Sequence, residues 1–330
     1  MHWLQNHWYR ITPLHLILLP VSLVFRALVA FRRAAFRNQV FSSDRLLLPV
    51  IVVGNISVGG TGKTPLTLAL AQQLVERGWH PLIVSRGYGG KTQRPQQVSA
   101  SSTAQQVGDE PLLMARRDIC PVWIGRDRAA TAHAAMQAHP QSDIVLCDDG
   151  LQHYRLQRDV EIAVIDGARG VGNGWLLPAG PLREPASRLQ AVDAVVVNGG
   201  NTSAGQYSMR LTGAVFYNLL DPAQTAPADY FVSLRNHAVA GIGHPQRYFR
   251  HLETLGIPFT PHAFPDHHPY SAADLFFADC DAVLLTEKDA VKCAGFADAR
   301  FWVLRVEAEI DPTLIDHILR KIAPHGCKTA

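Results

Sequence analysis

The sequence predicts an α/β fold: a mainly parallel sheet with helices on both faces, a second and smaller α/β domain, and a membrane-associated helix at the N-terminus. Three observations carry this. Short β-branched apolar runs alternate with segments of helical apolar spacing, the pattern of a parallel sheet covered on both sides. A glycine-rich loop sits between the first such run and the first such helix. An apolar stretch rich in flanking arginine comes before both. Of the 330 residues, 47% are hydrophobic and 18% charged, enough for a packed core and against wholesale disorder.

The first 45 residues hold six arginines (Arg10, Arg26, Arg32, Arg33, Arg37, Arg45) against one acid, Asp44, although the whole chain is only +3. Such a small net charge gives no reason to expect nucleic acid. Residues 11–25 carry no full charge, and at 15 residues they fall short of the ~20 that span a bilayer. Pro20 should kink a helix there, and Trp3, Trp8 and Tyr9 precede it. Aromatic and arginine residues bordering an apolar helix suit the membrane–water interface. The segment reads as an interfacial anchor with its arginines toward anionic headgroups. A signal peptide and a buried helix are the competing readings. No small-x-small cleavage site follows, and arginines on both flanks are awkward for a core helix.

Residues 48–53 form the first strand, and 65–77 a helix with Leu66, Leu70 and Leu74 on one face, closed by Gly78. Further strands are expected at 80–84, 121–124, 143–147, 160–165 and 192–197. Residues 201–237 turn to Ser, Thr, Ala and Pro and read as a linker or hinge. Beyond them a strand at 238–242, a helix at 245–255 and strands at 282–286 and 301–306 suggest the smaller domain. The expected division is 1–45, 46–200, 201–237 and 238–330. Cys120, Cys147, Cys280, Cys293 and Cys327 form no C-x-x-C pair, which disfavours zinc and redox chemistry.

Between strand and helix lies Gly54-Asn55-Ile56-Ser57-Val58-Gly59-Gly60-Thr61-Gly62-Lys63-Thr64. Small residues let backbone N–H groups curl around phosphate oxygens, and the helix N-terminus adds a positive dipole end. This is a P-loop of the NTPase type with Ser57 where the strict pattern has Gly. Lys63 should reach the β- and γ-phosphates, and Thr64 should ligate Mg²⁺. Asp148 and Asp149 close a neighbouring apolar strand, the position of the carboxylates that hold the magnesium shell. Asp109 with Glu110 lies ahead of a helix, where an N-cap is the commonest reason for Asp. Gln152 and His153 follow the acidic pair. Asp266-His267-His268 occupies a loop far along the chain, where an Asp–His pair can relay protons. Arg86 and Tyr88, in a Gly-rich loop, and the pair Arg183 and Glu184 could position a phosphorylated ligand or be ordinary polar contacts. No N-K-x-D motif of a GTPase is present. A scaffold without chemistry, or a kinase of a soluble sugar, would leave either the acidic and histidine clusters or the apolar segment unexplained.

Taken together, VGNISVGGTGKTP, SRGYGG, GDEP, DDGLQHYRL, NGWLLPAGPLRE, FPDHHPY and TEKDAVK, in order along nearly the whole chain, closely resemble the tetraacyldisaccharide 4′-kinases of lipid A biosynthesis in Gram-negative bacteria. The resemblance implies ATP-dependent phosphorylation of the 4′-hydroxyl of a tetraacyldisaccharide 1-phosphate, giving lipid IVA. It implies ATP and Mg²⁺ as cofactors, the cytoplasmic face of the inner membrane as the place of work, and no protein partner. Carried over residue by residue, it implies Asp109 and His267 as the base pair, with Asp266 orienting the histidine and His268 as the rival for its role. It implies Asp148 and Asp149 near Mg²⁺ and Gln152 and His153 lining the site. Glu110, Tyr88, Arg126, Arg183 and Glu184 would help position substrate or phosphate. Lys288 and Asp289 match the family's pattern without an assigned role. Asp109 and His267 lie on different halves of the chain, so a closure of the C-terminal unit over the nucleotide is expected.

Overall fold

A computed structural model describes residues 7–9, 12–92 and 94–323. Trp3, Arg10, Ile11 and Cys327, singled out above, lie outside the described residues. In chain order the elements are α1 (Leu14–Arg37), β1 (Val50–Gly54), α2 (Lys63–Glu76), β2 (Pro81–Ser85), β3 (Gln96–Val98), α3 (Ala104–Val107), α4 (Asp109–Arg116), β4 (Val122–Ile124), α5 (Arg128–Ala138), β5 (Ile144–Asp148), β6 (Val160–Asp166), β7 (Ala194–Asn198) and β8 (Tyr207–Thr212). There follow β9 (Val215–Asn218), β10 (Thr225–Pro227), β11 (Asn236–Ala240), α6 (Pro245–Thr254), β12 (Thr260–Ala263), β13 (Ala282–Thr286), α7 (Glu287–Cys293), β14 (Phe301–Leu304), β15 (Glu307–Ile310) and α8 (Pro312–Ile322).

Among the described residues, nine strands form the larger sheet in the order β15-β8-β7-β6-β1-β5-β2-β4-β3, parallel except at the two edges. The central strands β1, β2 and β5 are buried along their whole length, which is why they read as unbroken apolar runs. One face is covered by α2, α4 and α8 through Leu66, Leu70, Leu112, Leu314 and Ile318. The other is covered by α5 and by loops bearing Leu151, Leu156 and Leu182. A six-stranded sheet, β10-β9-β14-β13-β11-β12, forms the smaller unit, with its own apolar layer on each face.

Two expectations change. Residues 201–237 are not a plain linker: β8 extends the larger sheet, parallel to β7, while β9 and β10 extend the smaller one. Residues 307–322 do not stay in the smaller unit either. β15 pairs antiparallel with β8, and α8 buries Leu314, Ile315, Ile318 and Ile322 against the larger sheet. The smaller unit is therefore an insertion between β8 and β15, the last two strands at one end of the larger sheet. Both strands are short and half polar, and which sheet such a strand joins is a long-range choice that local pattern does not encode.

The N-terminal helix is also longer than its apolar run. It has 24 residues and continues through Pro20, reaching the length and composition needed to cross a membrane, with a mean hydropathy of 2.2 over its best 18-residue window. Leu16, whose carbonyl Pro20 leaves without its helical partner, is on the exposed side. Only 11% of that window is buried. What is buried docks on the body: Ser22 Oγ donates to Leu176 O (2.8 Å), Asn173 Nδ2 meets His15 Nε2 (2.9 Å), and Phe36 lies 6.0 Å from the Tyr154 ring.

Candidate active site

The loop from Gly54 to Lys63 joins the middle of the larger sheet to α2, at the carboxyl ends of the strands, where open α/β sheets bind ligands. Gly59 and Gly62 take φ of +110° and +97°, conformations that side chains rarely adopt, so the curl of the loop depends on glycine at both. The curl is pinned from inside and outside. Asn55 Nδ2 donates across it to Thr61 Oγ1 (3.2 Å), and Asn198 Nδ2 at the end of β7 donates to Thr61 O (2.9 Å). Val58 N donates to Pro181 O (2.8 Å) and Arg183 N to Ile56 O (2.6 Å). Ser57, the departure from the strict pattern, makes a β-bridge to Leu182. The first turn of α2 has no side-chain cap, so its amides face the loop as free donors.

Lys63 Nζ stands 3.4 Å from Asp149 Oδ1, and Thr64 is buried beside it in the first turn. Asp148 ends β5 fully buried, accepting from Thr67 Oγ1 (3.4 Å) and Ser85 Oγ (3.3 Å). Burial, together with the nearby carboxylates of Glu110 and Asp149, pushes its pKa up to about 7. Burial acts on Asp149 in the same direction, but Lys63, Arg183 and Arg128 outweigh it and hold that carboxyl below the usual range. Arg183 Nη1 is 3.5 Å from Asp149 Oδ2.

Gln152 and Glu184 stand behind the loop. Gln152 Nε2 donates to Asn55 O (2.9 Å) and to Glu184 Oε1 (2.8 Å). Glu184 is 1% exposed and is also held by Tyr154 OH (2.6 Å) and Arg188 Nε (3.3 Å). It cannot touch a ligand, so the expectation that it positions one directly is replaced by support of the loop through Gln152. His153 is half-buried; burial and then the Arg128 charge lower its pKa to about 4. Arg126 is exposed just beyond β4. Its neighbour Arg128, not singled out from sequence, is the buried one, its Nη2 reaching Asp149 O (3.2 Å) and Asp148 O (3.4 Å). A cation in the first turn of a helix opposes the helix dipole, and that mismatch was the available signal.

The second half of the site is the seam between the two units. Gly108, with φ +89°, precedes α4, and Asp109 is the first residue of that helix rather than its N-cap. Its buried carboxylate points across the seam, with Oδ2 3.0 Å from His267 Nδ1. His267 sits in the loop after β12 with φ +61°, unusual for a residue with a Cβ, which turns its ring toward Asp109 and away from its own sheet. The exposed Tyr88 ring lies 5.3 Å from the imidazole. His268 faces the other way, between the rings of Phe264 and Tyr270 and 3.6 Å from Asp274. Of the two rivals, His267 is thus the one that meets Asp109.

Helix α7 supplies the cations of the seam. Lys288 Nζ reaches Glu110 Oε1 (3.0 Å), Asp266 Oδ1 (3.1 Å) and His267 Nε2 (3.5 Å). Burial acts to lower the pKa of Lys288, but Glu110 and Asp266 more than reverse this and raise it above the ordinary lysine value. One turn on, Lys292 Nζ lies 2.9 Å from Asp289 and 3.8 Å from Asp109 Oδ2. Asp289 is fully buried and accepts from Thr286 Oγ1 (2.6 Å), Gly241 N (3.0 Å) and Tyr270 OH (3.3 Å), so it ties together the loops that carry the histidines. At the start of the same helix, Arg117 pairs with Glu287 (2.7 Å).

Comparison with known proteins follows this geometry. The family model described as tetraacyldisaccharide-1-P 4′-kinase matches residues 14–323. A tetraacyldisaccharide 4′-kinase of Methylobacillus flagellatus is 50% identical over 97% of this chain and 96% of its own length. One of Dechloromonas aromatica is 51% identical over 97% of each. Among solved structures, an LpxK of Aquifex aeolicus in complex with ATP superposes with a TM-score of 0.79 at 28% identity, covering 93% of this chain and 99% of that one. A P-loop facing an Asp–His seam, and sequence likeness running almost end to end, lead to one conclusion: the chain belongs to the tetraacyldisaccharide-1-P 4′-kinase family.

Proposed function

We propose that the protein moves the γ-phosphoryl group of ATP to the 4′-hydroxyl of a tetraacyldisaccharide 1-phosphate with Asp109 as the base. Kinase activity toward a tetraacyldisaccharide follows from family membership. The observation that carries the assignment of the base is the 3.0 Å contact between Asp109 and His267 across the seam. An Asp alone is a weak base, with an ordinary pKa near ~3.9. Partnering by an imidazole that positions it is what lets it accept a hydroxyl proton in the transition state.

Phosphoryl transfer asks mainly for alignment and charge neutralisation. The loop amides from Asn55 to Gly62, with Lys63, receive the β- and γ-phosphates, and Arg183 stands on the same rim. The sugar oxygen attacks the γ-phosphorus as its proton passes to Asp109. The bond from the γ-phosphorus to the bridging oxygen breaks, and its electron pair leaves with ADP. The oxygen donors Thr64, Asp148 and Asp149 fit a magnesium ion. Asp148 is a carboxyl raised to about 7 by burial and by its acidic neighbours, and the buried Asp149 Oδ1 already meets the cation of Lys63 at 3.4 Å, which is the state of a donor set made to meet positive charge. When bound, the ion neutralises charge on the phosphates.

Helix α1 lies on the cytoplasmic face of the inner membrane of a Gram-negative cell and does not cross it. Leu16, Ile17, Val21, Leu23, Val24, Leu28 and Phe31 are exposed, yet His15 near one end and Phe36 near the other are both tied to the body. A helix held along its length against a polar body can sink one face into headgroups, as an interfacial helix does.

Transfer of ³²P from γ-labelled ATP to a tetraacyldisaccharide 1-phosphate in mixed micelles tests the proposal, with Asp109→Ala alongside. Label in the lipid that falls roughly 10²-fold or more in the variant supports it. Label that appears equally with a soluble sugar acceptor, and no dependence of rate on the surface concentration of lipid, would remove the membrane-bound reading.

A further inference from the structure

We infer that Lys288 is a positioning residue of the reaction: by donating to His267 Nε2 it fixes the ring proton on Nδ1, so that Asp109 alone takes the substrate proton. The inference rests on the proposed pairing of Asp109 with His267 and adds to it the direction of the hydrogen bond.

Hydrogen-bonding capacity sets that direction. A lysine ammonium can only donate, and an ionised carboxylate can only accept. His267 lies between one of each, with Nδ1 3.0 Å from Asp109 Oδ2 and Nε2 3.5 Å from Lys288 Nζ. Nδ1 must then carry the proton and Nε2 the lone pair. The reverse tautomer would set a lone pair against a carboxylate and an N–H against an ammonium. The groups facing the ring are Asp109 from α4, Tyr88 from the loop after β2, Asp266 from its own loop and Lys288 from α7; behind them Glu110 meets Lys288 and Lys292 meets Asp109. Without Lys288, a carboxylate would face each ring nitrogen, Asp109 at Nδ1 and Asp266 at Nε2, and nothing would keep Nε2 free of a proton. Asp266 Oδ2 is 3.9 Å from Nε2 and would draw a proton there. Lys288 cancels this, because it binds Asp266 and Glu110 at 3.1 and 3.0 Å while facing Nε2 itself.

The chemical consequence is specific. A ring already protonated at Nδ1 cannot receive a second proton from Asp109 at that nitrogen. His267 acts as a fixed donor that orients the carboxylate, and the proton leaving the sugar hydroxyl stays on Asp109 until the products leave. Lys288 also joins the units, since Glu110 belongs to the larger and Asp266 with His267 to the smaller. The Lys288–His267 contact lies within the smaller unit, so the tautomer is already set there, and closing the seam brings Nδ1–H to Asp109.

The test is the pH dependence of kcat for the full-length protein and for Lys288→Met, Lys288→Arg and His267→Asn. In Lys288→Met the imidazolium forms more readily, so the acid limb of kcat moves upward by about one pH unit or more. Lys288→Arg, which keeps a donor cation, returns most of the shift. A uniform fall in kcat with the limb unmoved overturns the inference, since lost packing alone has that effect. If His267→Asn keeps kcat within about threefold of the unaltered protein, the pairing itself fails; a crippled His267→Asn beside an unmoved limb sinks only the role of Lys288. Should Lys288→Met not fold, ¹⁵N NMR of the histidine rings in the unaltered protein decides. The Nδ1–H tautomer at pH 7 supports the inference; the Nε2–H tautomer, or an imidazolium persisting at pH 8, overturns it.

Discussion

The loop rim and the seam are built on opposite plans. At the rim, Asn55, Thr61, Gln152, Glu184 and Asn198 are joined by short-range hydrogen bonds, mostly neutral and mostly buried, within one unit. At the seam, Asp109, Glu110, Asp266, His267 and Lys288 come from two units, and ionic contacts hold them, most between partly exposed groups around the buried Asp109. Buried neutral networks rigidify, and partly exposed ion pairs are weak and separable. On the proposed mechanism, phosphates meet a preformed cradle, whereas the base is assembled from parts that can come apart. A kinase that must admit a large lipid headgroup and shut out water benefits from that division.

The comparison can be broken by its largest effect first. Asp109→Asn should lower kcat by about 10²- to 10⁴-fold while ATP affinity, read by equilibrium binding, stays within about twofold. A parallel loss of ATP binding would mean that rim and seam are one unit. Next, Glu184→Ala strips partners from half-buried Gln152 and Tyr154 and from buried Arg188 and should cost about 3–5 kcal/mol in urea unfolding, because breaking a buried pair strands its partner. A cost under about 1 kcal/mol would show that the network is not what holds the rim. By contrast, Glu110→Gln at the seam should change unfolding by no more than about 1 kcal/mol, since the Glu110 side chain is 32% exposed, but should lower kcat several-fold. The smallest effect belongs to His153. Its folded pKa of about 4 lies below the unfolded value near ~6.5, so its contribution is full above that value and lost as pH falls toward 4. His153→Gln should flatten the pH dependence of the melting temperature in that window; an unchanged slope would assign the acid sensitivity elsewhere.

What could be read from sequence divides along the same line. The rim was legible because a P-loop is local: strand, glycines, lysine and helix follow one another, and Asp148 closes an adjacent apolar run. The seam was legible only through family resemblance, because no local rule brings Asp109 to a histidine 158 residues away. Lys288 and Asp289 were visible as matched residues without a purpose, and contact across the seam gives Lys288 its place. Arg128 passed unnoticed beside Arg126, since charge alone does not tell a buried arginine from an exposed one. The linear division into units missed β8 and β15, which pair with each other across the inserted residues 213–306. The apolar run ends at Phe25, but α1 runs on to Arg37 with Phe25, Ala35 and Phe36 turned toward the body.

The return of the chain to its first sheet bears on how the protein is made. Synthesis proceeds from the N-terminus, and domains generally fold as units while the chain emerges. Here the larger sheet has its central strands by residue 166, yet its last edge strand and the helix covering Leu66 and Leu70 arrive only with residues 307–322. A ribosome-bound chain ending near residue 300 would hold a finished nucleotide loop over an apolar face still open to water. The inserted unit must emerge, and be held out of the way, before that face can be sealed. Ribosome-stalled chains of increasing length should therefore gain protease resistance in the N-terminal half in one late step, after α8 has cleared the exit tunnel.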